Sequence, residues 1–404
     1  MRRARFVGAL GAAAASGLAG APRAVLGAPG PIAVPAPPPT PGIPIPLYTP
    51  TLRVAVVCPQ SGEDRALGMQ LVAGVRDACD YLNNRRASYQ RALLFSQFDD
   101  HNAAADAIVQ AGFATGNPDV LAVIGHLSAS ATLAALQTYA TAQVSLVVPT
   151  VTDDRVTAQG YRNVFRLPTK DSDEGALLAA YVLATGSKTP LVVSQASDYG
   201  PSVARGFLAR AAAQHVSAAS TTFALDKPDY AAAAADIVAH APDAVALAGT
   251  AEEMGPLLPA LRAKGFTGRL VAAQGFFSET TVKQYAKEAE GMIVATDVPY
   301  YPLAPTAVPV VQDFQARYGA LTPVTAFGFA AVQLIYAAQN RTNAANRLTL
   351  LRAIATGGTL DTITGSYTFG PTGDALQPNV YFYAVRGGKF AYERQAHSSG
   401  FMLK

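Results

Sequence analysis

The chain has 404 residues, of which 50% are hydrophobic, and this length favours two domains or two lobes over a single compact core. There are 31 basic and 28 acidic residues, which give a formal charge of +3, and no helix or face gathers the lysines and arginines that a nucleic-acid-binding protein needs. The composition therefore argues against a nucleic-acid partner.

The N-terminal part of the chain predicts export. Residues 1–28 begin with MRRAR, continue as an Ala/Gly-rich run and reach small-residue sites of the kind found at signal-peptide cleavage points, so we expect an export signal. Arg2 and Arg3 point to a twin-arginine route, while the residues after them fit Sec export equally well. Residues 29–51 are a Pro-rich linker whose composition favours extended polyproline II. No later segment has the about 18 consecutive apolar residues of a membrane span.

Short apolar runs alternate with alanine-rich helical runs from Leu52 to about Val298. The predicted strands are LRVAVV, ALLFSQFD, VLAVIG, VSLVVP, NVFRL, PLVVSQ, AVALAG, RLVAAQ and MIVATDV. Most are continuously apolar, which is typical of strands buried on both faces of a parallel sheet, so the predicted fold class is α/β. Right-handed crossovers place the carboxyl ends of such strands on one rim, where ligands bind. The loops after the strands are therefore the candidate site.

These loops are rich in hydroxyls, amides and glycine, which suit a small-molecule pocket. They read HLSASAT, TVTDD, ASDYG, TAEEMG and QGFFSET. In the first, Ser128 or Ser130 can cap the following helix, whose first turn has no acidic residue, and its free N–H groups leave room for a ligand carboxylate. An ordinary helix cap is the alternative. The second loop, with Thr150 and Thr152, favours the ligand.

Other kinds of site find little support in the sequence. Cys58 ends a strand and Cys79 lies well along the next helix, so we expect two buried free thiols. The histidines show no metal-ligand spacing, and we expect neither a metal nor a cofactor; they are His101, His126, His215, His240 and His397. Asp99, Asp100 and His101 are interpreted as a polar loop. A hydrolase using Ser128 or this loop is an alternative without a supporting motif.

The order of the loops resembles the leucine/isoleucine/valine-binding proteins of ABC transporters, which are type I periplasmic binding proteins. The matching pieces span Leu52 to about Phe390 and include VIGHLSASATLAALQTY, VPTVTDDRVTAQGYRNVFRLPTKDSDEG, SDYGPSVARGF, AGTAEEMGPLLPALRAKGF and SYTFGPTGD. The resemblance implies a non-enzymatic, monomeric protein of the periplasm that binds a small carboxylate and delivers it to an ABC transporter permease. A ligand-sensing module of the same fold is the alternative that the sequence leaves open.

The resemblance also implies two Rossmann-like lobes with parallel central sheets, joined by three crossing segments. Lobe 1 would comprise residues 52–166 and 299–364, and lobe 2 residues 167–298 and 365–404. The crossings would lie at 167–170, 297–300 and 365–368. In the C-terminal part, the two apolar runs around Arg386, Gly387 and Gly388 predict a β-hairpin.

The ligand contacts of the family can be carried over position by position. The serine that binds the α-carboxylate falls on Ala129, between Ser128 and Ser130, and the threonine of the second loop falls on Thr152 near Thr150. The lobe 2 tyrosine corresponds to Tyr199, and the tyrosine of the next loop has become Thr250. The acid that holds the ligand ammonium has become Gln274, followed by Gly275 as in the family.

The change to Gln274 raises the question of whether the ligand carries an amine. Either the ligand is an amino acid whose ammonium is held by another acid, such as Glu279 or Asp297, or it has no α-amine. In the second case hydrophobic or aromatic acids without an amine should compete with leucine or valine. Four nearby aromatics could suit an apolar ligand body or could pack within the lobes; they are Phe276, Phe277, Tyr300 and Tyr301.

Overall fold

The computed structural model describes residues 50–224, 228–304, 307–319, 321–377 and 379–396. The export signal predicted for residues 1–28, and the Pro-rich linker up to residue 49, lie outside the described residues. The first strand begins at Thr51, one residue before the start that the sequence indicates.

The strands of the described chain confirm the α/β prediction, since each of the nine predicted runs contains one. In chain order they are β1 (Thr51–Cys58), β2 (Ala92–Asp99), β3 (Val120–Gly125), β4 (Ser145–Val148), β5 (Val164–Arg166), β6 (Pro190–Gln195), β7 (Ala219–Phe223), β8 (Ala244–Ala248), β9 (Arg269–Ala272), β10 (Ile293–Thr296), β11 (Leu360–Thr362), β12 (Gly365–Tyr367), β13 (Val380–Arg386) and β14 (Lys389–Ala396).

Helices follow most of these strands, as the alternating pattern predicts. They are α1 (Arg65–Asn83), α2 (Ala104–Gly116), α3 (Ala129–Thr141), α4 (Arg155–Ala158), α5 (Asp171–Ala184), α6 (Tyr199–Ala213), α7 (Tyr230–Ala239), α8 (Ala251–Met254), α9 (Leu257–Ala263), α10 (Glu279–Gln284), α11 (Val308–Tyr318), α12 (Pro323–Thr342) and α13 (Arg347–Thr356). Two short 3₁₀ turns cover Gln274–Phe276 and Tyr301–Leu303.

The strands form two large sheets and one small one. The first large sheet is parallel, in the order β2-β1-β3-β4-β5. The second has the order β14-β13-β10-β9-β8-β6-β7, and its strands from β6 to β10 are parallel. Strands β13 and β14 are the predicted C-terminal hairpin, and they join antiparallel to β10. The second sheet is therefore mixed, whereas the family resemblance implies a parallel central sheet in each lobe.

Each large sheet has apolar cores on both faces. In the first, residues of β1 alternate between a core formed with α1 and α12 and a core formed with α2 and α3. The second sheet is likewise covered on both faces by separate buried clusters. This covering explains why most strands read as continuous apolar runs.

Helices α5 and α6 approach closely enough to require glycine at their crossing. A Cβ on Gly175 would lie 1.9 Å from the Val203 carbonyl oxygen, and one on Gly206 would lie 1.8 Å from that of Ser172. Since both obstacles are backbone atoms, only glycine fits without moving a helix. This contact fixes the amino-terminal end of α5 against α6, which begins at Tyr199 of the candidate site.

Cys58 and Cys79 are free and buried, which confirms the sequence prediction. Burial raises the pKa of both thiols far above the usual range, so they stay protonated. Among the described helices, none combines the length and the apolar character needed to cross a bilayer.

Hydrogen bonds connect the segments that the sequence analysis assigns to the crossings. The Thr169 N–H and hydroxyl donate to the two carboxylate oxygens of Asp297, at 2.9 and 2.6 Å. The predicted end of lobe 1 at residue 364 falls inside the small sheet, where β11 pairs with β12 and Tyr367 packs in the same core as α12. The division into two lobes, with its third crossing at 365–368, stays a prediction.

Candidate functional site

Three of the predicted site loops lie at the points where the strand order of a large sheet reverses. In the first sheet the chain moves outward from β1 to β2 and returns to β3 on the other side, and in the second it does the same at β6 and β8. The loop with Ser128 follows β3, Tyr199 follows β6, and Thr250 follows β8. A crevice at such a reversal is where open α/β sheets bind ligands.

Ser128 is the residue that caps α3. Its Oγ accepts a hydrogen bond from the Ala131 N–H at 3.3 Å and lies 3.2 Å from the Ser130 Oγ. The helix begins at Ala129, and its first turn has no acidic residue. Ser128 and Ala129 are half-buried and Ser130 is exposed. The N-terminus of α3 therefore presents N–H groups and two hydroxyls with no protein anion in its first turn.

Thr150 and Thr152 follow β4 and have different partners. The Thr150 side chain is 9% exposed, and its Oγ has no hydrogen-bond partner in the described part of the chain. The Thr152 hydroxyl donates to the Asp171 carboxylate, and the Thr152 carbonyl accepts the Asp171 N–H at 3.0 Å. Because a hydroxyl has a single proton, Thr152 donates to Asp171 in this structure, whereas Thr150 is a buried donor without a protein acceptor.

Tyr199 and Gln274 are joined by a buried acid, Glu174. The Tyr199 hydroxyl donates to Glu174 Oε2 at 2.7 Å, and the Gln274 N–H donates to Oε1 at 2.5 Å. Tyr199 is buried in the core between α5, α6 and the second sheet. Its hydroxyl is thus engaged with Glu174, although the family resemblance implies that Tyr199 contacts the ligand.

Thr250 and Gly275 lie next to each other, and their N–H groups bond to Gln195 and Tyr199, respectively. The Thr250 N–H donates to Gln195 Oε1 at 2.9 Å, and the Gly275 N–H donates to the Tyr199 hydroxyl oxygen. A Cβ on Gly275 would lie 2.3 Å from the Gly249 carbonyl oxygen, so the close approach of the two loops requires glycine. The structure therefore brings Tyr199, Thr250, Gln274 and Gly275 together on one side of the site.

Three residues at the site were missed by sequence reasoning. Asp171 contacts Thr152, and Glu174, one turn further along α5, contacts Tyr199 and Gln274. In the sequence both residues read as ordinary acids in the first turn of a helix. The feature that could have identified them is their position directly after the predicted crossing at 167–170. Gln60 follows β1, the neighbour of β3, and its buried Nε2 has no partner within the described residues.

Burial changes the protonation of the acids around the crossings. It raises the pKa of Glu174 to about 8, helped by the nearby charges of Asp297 and Asp171, although the bonds from Gln274 and Tyr199 oppose the shift. Burial likewise raises the pKa of Asp171 to about 7 and that of Asp297 to about 6. This concentration of buried carboxyl groups favours a positive charge brought by a ligand.

Other candidate residues have different surroundings. Glu279 is exposed and pairs with Lys283 at 2.8 Å, whereas Asp297 is buried on Thr169. Aromatic residues near Gln274 pack within the lobes: Phe276 and Phe277 lie in the core of the second sheet, Tyr301 lies in a core of the first, and Tyr300 stacks on Tyr392 with ring centroids 4.2 Å apart.

His126 belongs to a fully buried chain of hydrogen bonds. Its Nδ1 lies 2.5 Å from Asp100 Oδ2 and its Nε2 lies 2.9 Å from the Tyr139 hydroxyl. Both ring nitrogens are thus engaged, and His126 does not act as a base toward Ser128. No group of three or more histidine, cysteine or acidic side chains within the described residues is arranged to hold a metal ion.

Solvent-accessible ion pairs link the start of α4 and the residue before it to the amino-terminal part of α6 and its N-cap residue. Arg155 lies 3.0 Å from Asp198, and Arg205 lies 2.7 Å from Asp154. Solvent screens such pairs, so each contributes about 0–1 kcal/mol. These contacts between the two halves of the site can therefore break at little cost.

Two α/β units, each with polar loops at its strand-order reversal, define a small-molecule-binding protein. The family model described as "Periplasmic binding protein" matches residues 51–389, so the chain belongs to this family. The Leu/Ile/Val-binding protein of Escherichia coli (strain K12) is 27% identical over 332 residues, which cover 80% of this chain and 88% of that protein.

Solved structures have the same fold. An ABC transporter substrate-binding protein from Desulfitobacterium hafniense in complex with Leu superposes with a TM-score of 0.72 at 22% identity, over 85% of this chain and 100% of that one. A solute-binding protein of an ABC transporter from R. palustris in complex with benzoate gives 0.67 at 19% identity, over 86% and 96%. The likeness confirms the predicted fold. The family model and the Escherichia coli relative confirm the resemblance to the Leu/Ile/Val-binding proteins.

Proposed function

We propose that this chain is the substrate-binding protein of an ABC transporter, exported to the periplasm, that closes two lobes around a small hydrophobic carboxylate. The ligand is a branched-chain amino acid or a related aliphatic or aromatic acid, and the closed protein delivers it to the permease. The observation that carries the proposal is the position of the hydroxyl-bearing loops after β3, β6 and β8 at the strand-order reversals of both large sheets. Membership of the periplasmic binding protein family supports it.

In this proposal the ligand carboxylate binds at the amino-terminal end of α3. The Ala129 N–H and the Ser130 and Thr150 hydroxyls donate to it, while Ser128 keeps the helix capped. Thr152 holds the second loop against α5 through Asp171. On the other side, Thr250, Gln274 and Gly275 form the wall that meets the ligand, supported from behind by Tyr199. The named ligands of the relatives and structural neighbours, Leu and benzoate among them, agree with a carboxylate.

Ligand should shift the protein from an open to a closed arrangement, because contacts from both lobes favour only the closed one. Small-angle scattering of the protein with and without saturating leucine, benzoate or another acid found in a thermal-shift screen is expected to show a smaller radius of gyration with ligand. An unchanged scattering profile at saturation argues against a two-lobe clamp. A screen of small carboxylates in which none raises the melting temperature contradicts the function itself.

Replacing Thr150 with valine is expected to separate binding from stability. The substitution keeps the shape of the side chain and removes a buried hydroxyl that has no protein partner among the described residues. The free protein should therefore be as stable as wild type or slightly more stable, while the affinity for the carboxylate falls about tenfold. Calorimetric titration and urea unfolding measure the two effects. Thr356→Val, at an exposed position on α13, is the matched control, and equal affinities for both variants contradict the role of Thr150.

A further inference from the structure

Glu174 contacts the wall that Thr250, Gln274 and Gly275 form in the proposed site, and its carboxyl group accepts hydrogen bonds from two of the predicted site residues, Tyr199 and Gln274. It is 3% exposed, and it lines a small cavity, too narrow to hold a water molecule, with residues of the first two crossings. The cavity is bounded by Thr169, Glu174, Gln274, Thr296, Asp297 and Val380. The carboxyl group is therefore enclosed by residues of the first two crossings and by Gln274.

No cation compensates this carboxylate within the described structure. Its two hydrogen-bond donors, the Tyr199 hydroxyl and the Gln274 N–H, are both neutral, and no described lysine or arginine lies within ion-pair distance. The positive charge of Arg166 lowers the pKa of both Asp171 and Asp297, but the Arg166 guanidinium is itself bonded to Asp374. A buried acid without a paired cation is unfavourable, and acids are seldom fully buried unless they are paired.

The carboxylate retains the capacity to bind one more donor. Two carboxylate oxygens offer about four lone-pair positions, and two of these are occupied. The Gln274 backbone touches Oε1, so the carboxyl group of Glu174 lies next to the position at which the family resemblance places the ammonium-binding acid. The acid absent from position 274 is thus present on the neighbouring helix.

We propose that Glu174 supplies the negative charge for a cationic amine of the ligand, and that the protein consequently selects amino acids over their deaminated analogues. The inference rests on the proposed function and specifies its substrate class. It favours the first of the two alternatives that Gln274 leaves open, with Glu174 in place of Glu279 or Asp297. A charge-assisted hydrogen bond in a buried site is stronger than a neutral one, and this difference is the source of the selectivity.

The test compares paired ligands on charge-relocating variants. Leucine, valine and phenylalanine are each titrated beside the keto acid or simple acid of the same carbon skeleton, and the ratio of the two dissociation constants is the readout. Wild type is expected to prefer the amine-bearing member, and Glu174→Gln to lower this preference roughly tenfold. The double variant Glu174→Gln, Gln274→Glu returns the charge to the adjacent position with little change in volume, and it should restore the preference.

The ratio distinguishes a direct role from a structural one. If Glu174 only supports Tyr199 and Gln274, Glu174→Gln weakens both members of a pair equally and leaves the ratio unchanged, which overturns the inference. A wild type that binds the deaminated acids as well as the amino acids also overturns it, while the carboxylate-binding function survives. If neither class binds, the proposed function itself has failed.

Wild type alone provides a second measurement, which does not depend on the folding of any variant. Titratable groups facing Glu174 are Tyr199, Asp171 and Asp297. Because burial raises the pKa of Glu174 to about 8, an ammonium that draws it into the charged form should release protons at pH 7. Leucine titrated in two buffers of different ionisation enthalpy is expected to show this release. Binding of leucine without release, or equal release with the deaminated acid, contradicts the proposal.

Discussion

Replacing Asp374 with alanine is expected to lower the free energy of unfolding by about 3–5 kcal/mol, because it leaves the guanidinium of Arg166 buried without its counter-ion. Arg166 is fully buried, and its Nε and Nη2 donate to Asp374 Oδ1 at 2.8 and 2.7 Å. The guanidinium also donates to the Asp153 carbonyl and to the Thr157 hydroxyl. These bonds join the end of β5, the loop after β4 and the segment after β12.

The backbone beside Asp374 also contacts β5, the strand that contains Arg166. The Arg166 N–H donates to the Gly373 carbonyl at 2.9 Å, so this segment extends the edge of the first sheet at β5. Gly373 has φ +89°, and a Cβ there would lie 1.8 Å from the Val164 carbonyl oxygen. Only glycine can bring the chain this close, which sets Asp374 against Arg166.

Urea unfolding of Asp374→Ala measures the effect, and Asp361→Ala is the control. Asp361 lies in the same C-terminal region, but it is exposed and bonds to Ser366. The control is expected to remain within about 0.5 kcal/mol of wild type, as is usual for surface substitutions. A loss of less than about 1 kcal/mol in Asp374→Ala would mean that water or another group compensates Arg166.

Local patterns in the sequence predicted the strands well, and the exceptions have physical causes. Strand β7 reads ASTTF at the edge of the second sheet, and its positions alternate between half-buried and exposed before the buried Phe223, so it has no apolar run that would indicate a strand. The short strands β11 and β12 have three residues each and are built largely from small polar residues. The apolar signal depends on burial on both faces, which edge strands and small sheets do not have.

The site residues in loops that follow strands could be predicted from the sequence, whereas the hydrogen bonds between residues far apart in the chain could not. Ser128 and Thr150 could be singled out because parallel topology fixes which ends of the strands carry the site. The bond of Glu174 to the Gln274 N–H spans 100 residues, and the pair of Arg166 with Asp374 spans 208. No periodicity in the sequence connects residues so far apart. Buried polar networks of this kind therefore remained invisible until the fold placed them together.

Replacing His126 with alanine is expected to cost about 3–5 kcal/mol of stability, because it removes the partner of a buried acid. Asp100, His126 and Tyr139 are each fully buried, and the imidazole bridges the carboxylate and the phenol. Once the imidazole is gone, the Asn102 N–H, at 2.9 Å, is the one donor that the Asp100 carboxylate retains among the residues that the structure describes. The substitution also leaves a cavity under β3 and the Tyr139 hydroxyl without its partner.

The same substitution should weaken ligand binding beyond its effect on folding. His126 precedes Leu127 and the capping Ser128, so the imidazole anchors the loop that presents the carboxylate site. Tyr139→Phe is the matched control, because it removes one hydroxyl from the far end of the chain of bonds and is expected to cost about 1–3 kcal/mol with the loop still held by Asp100. Titration with ligand at a temperature where both variants are folded should show a clear loss of affinity only for His126→Ala. If both variants bind as wild type does, the hydrogen bonds of His126 serve the core of the first sheet and the position of Ser128 is set by the helix cap alone.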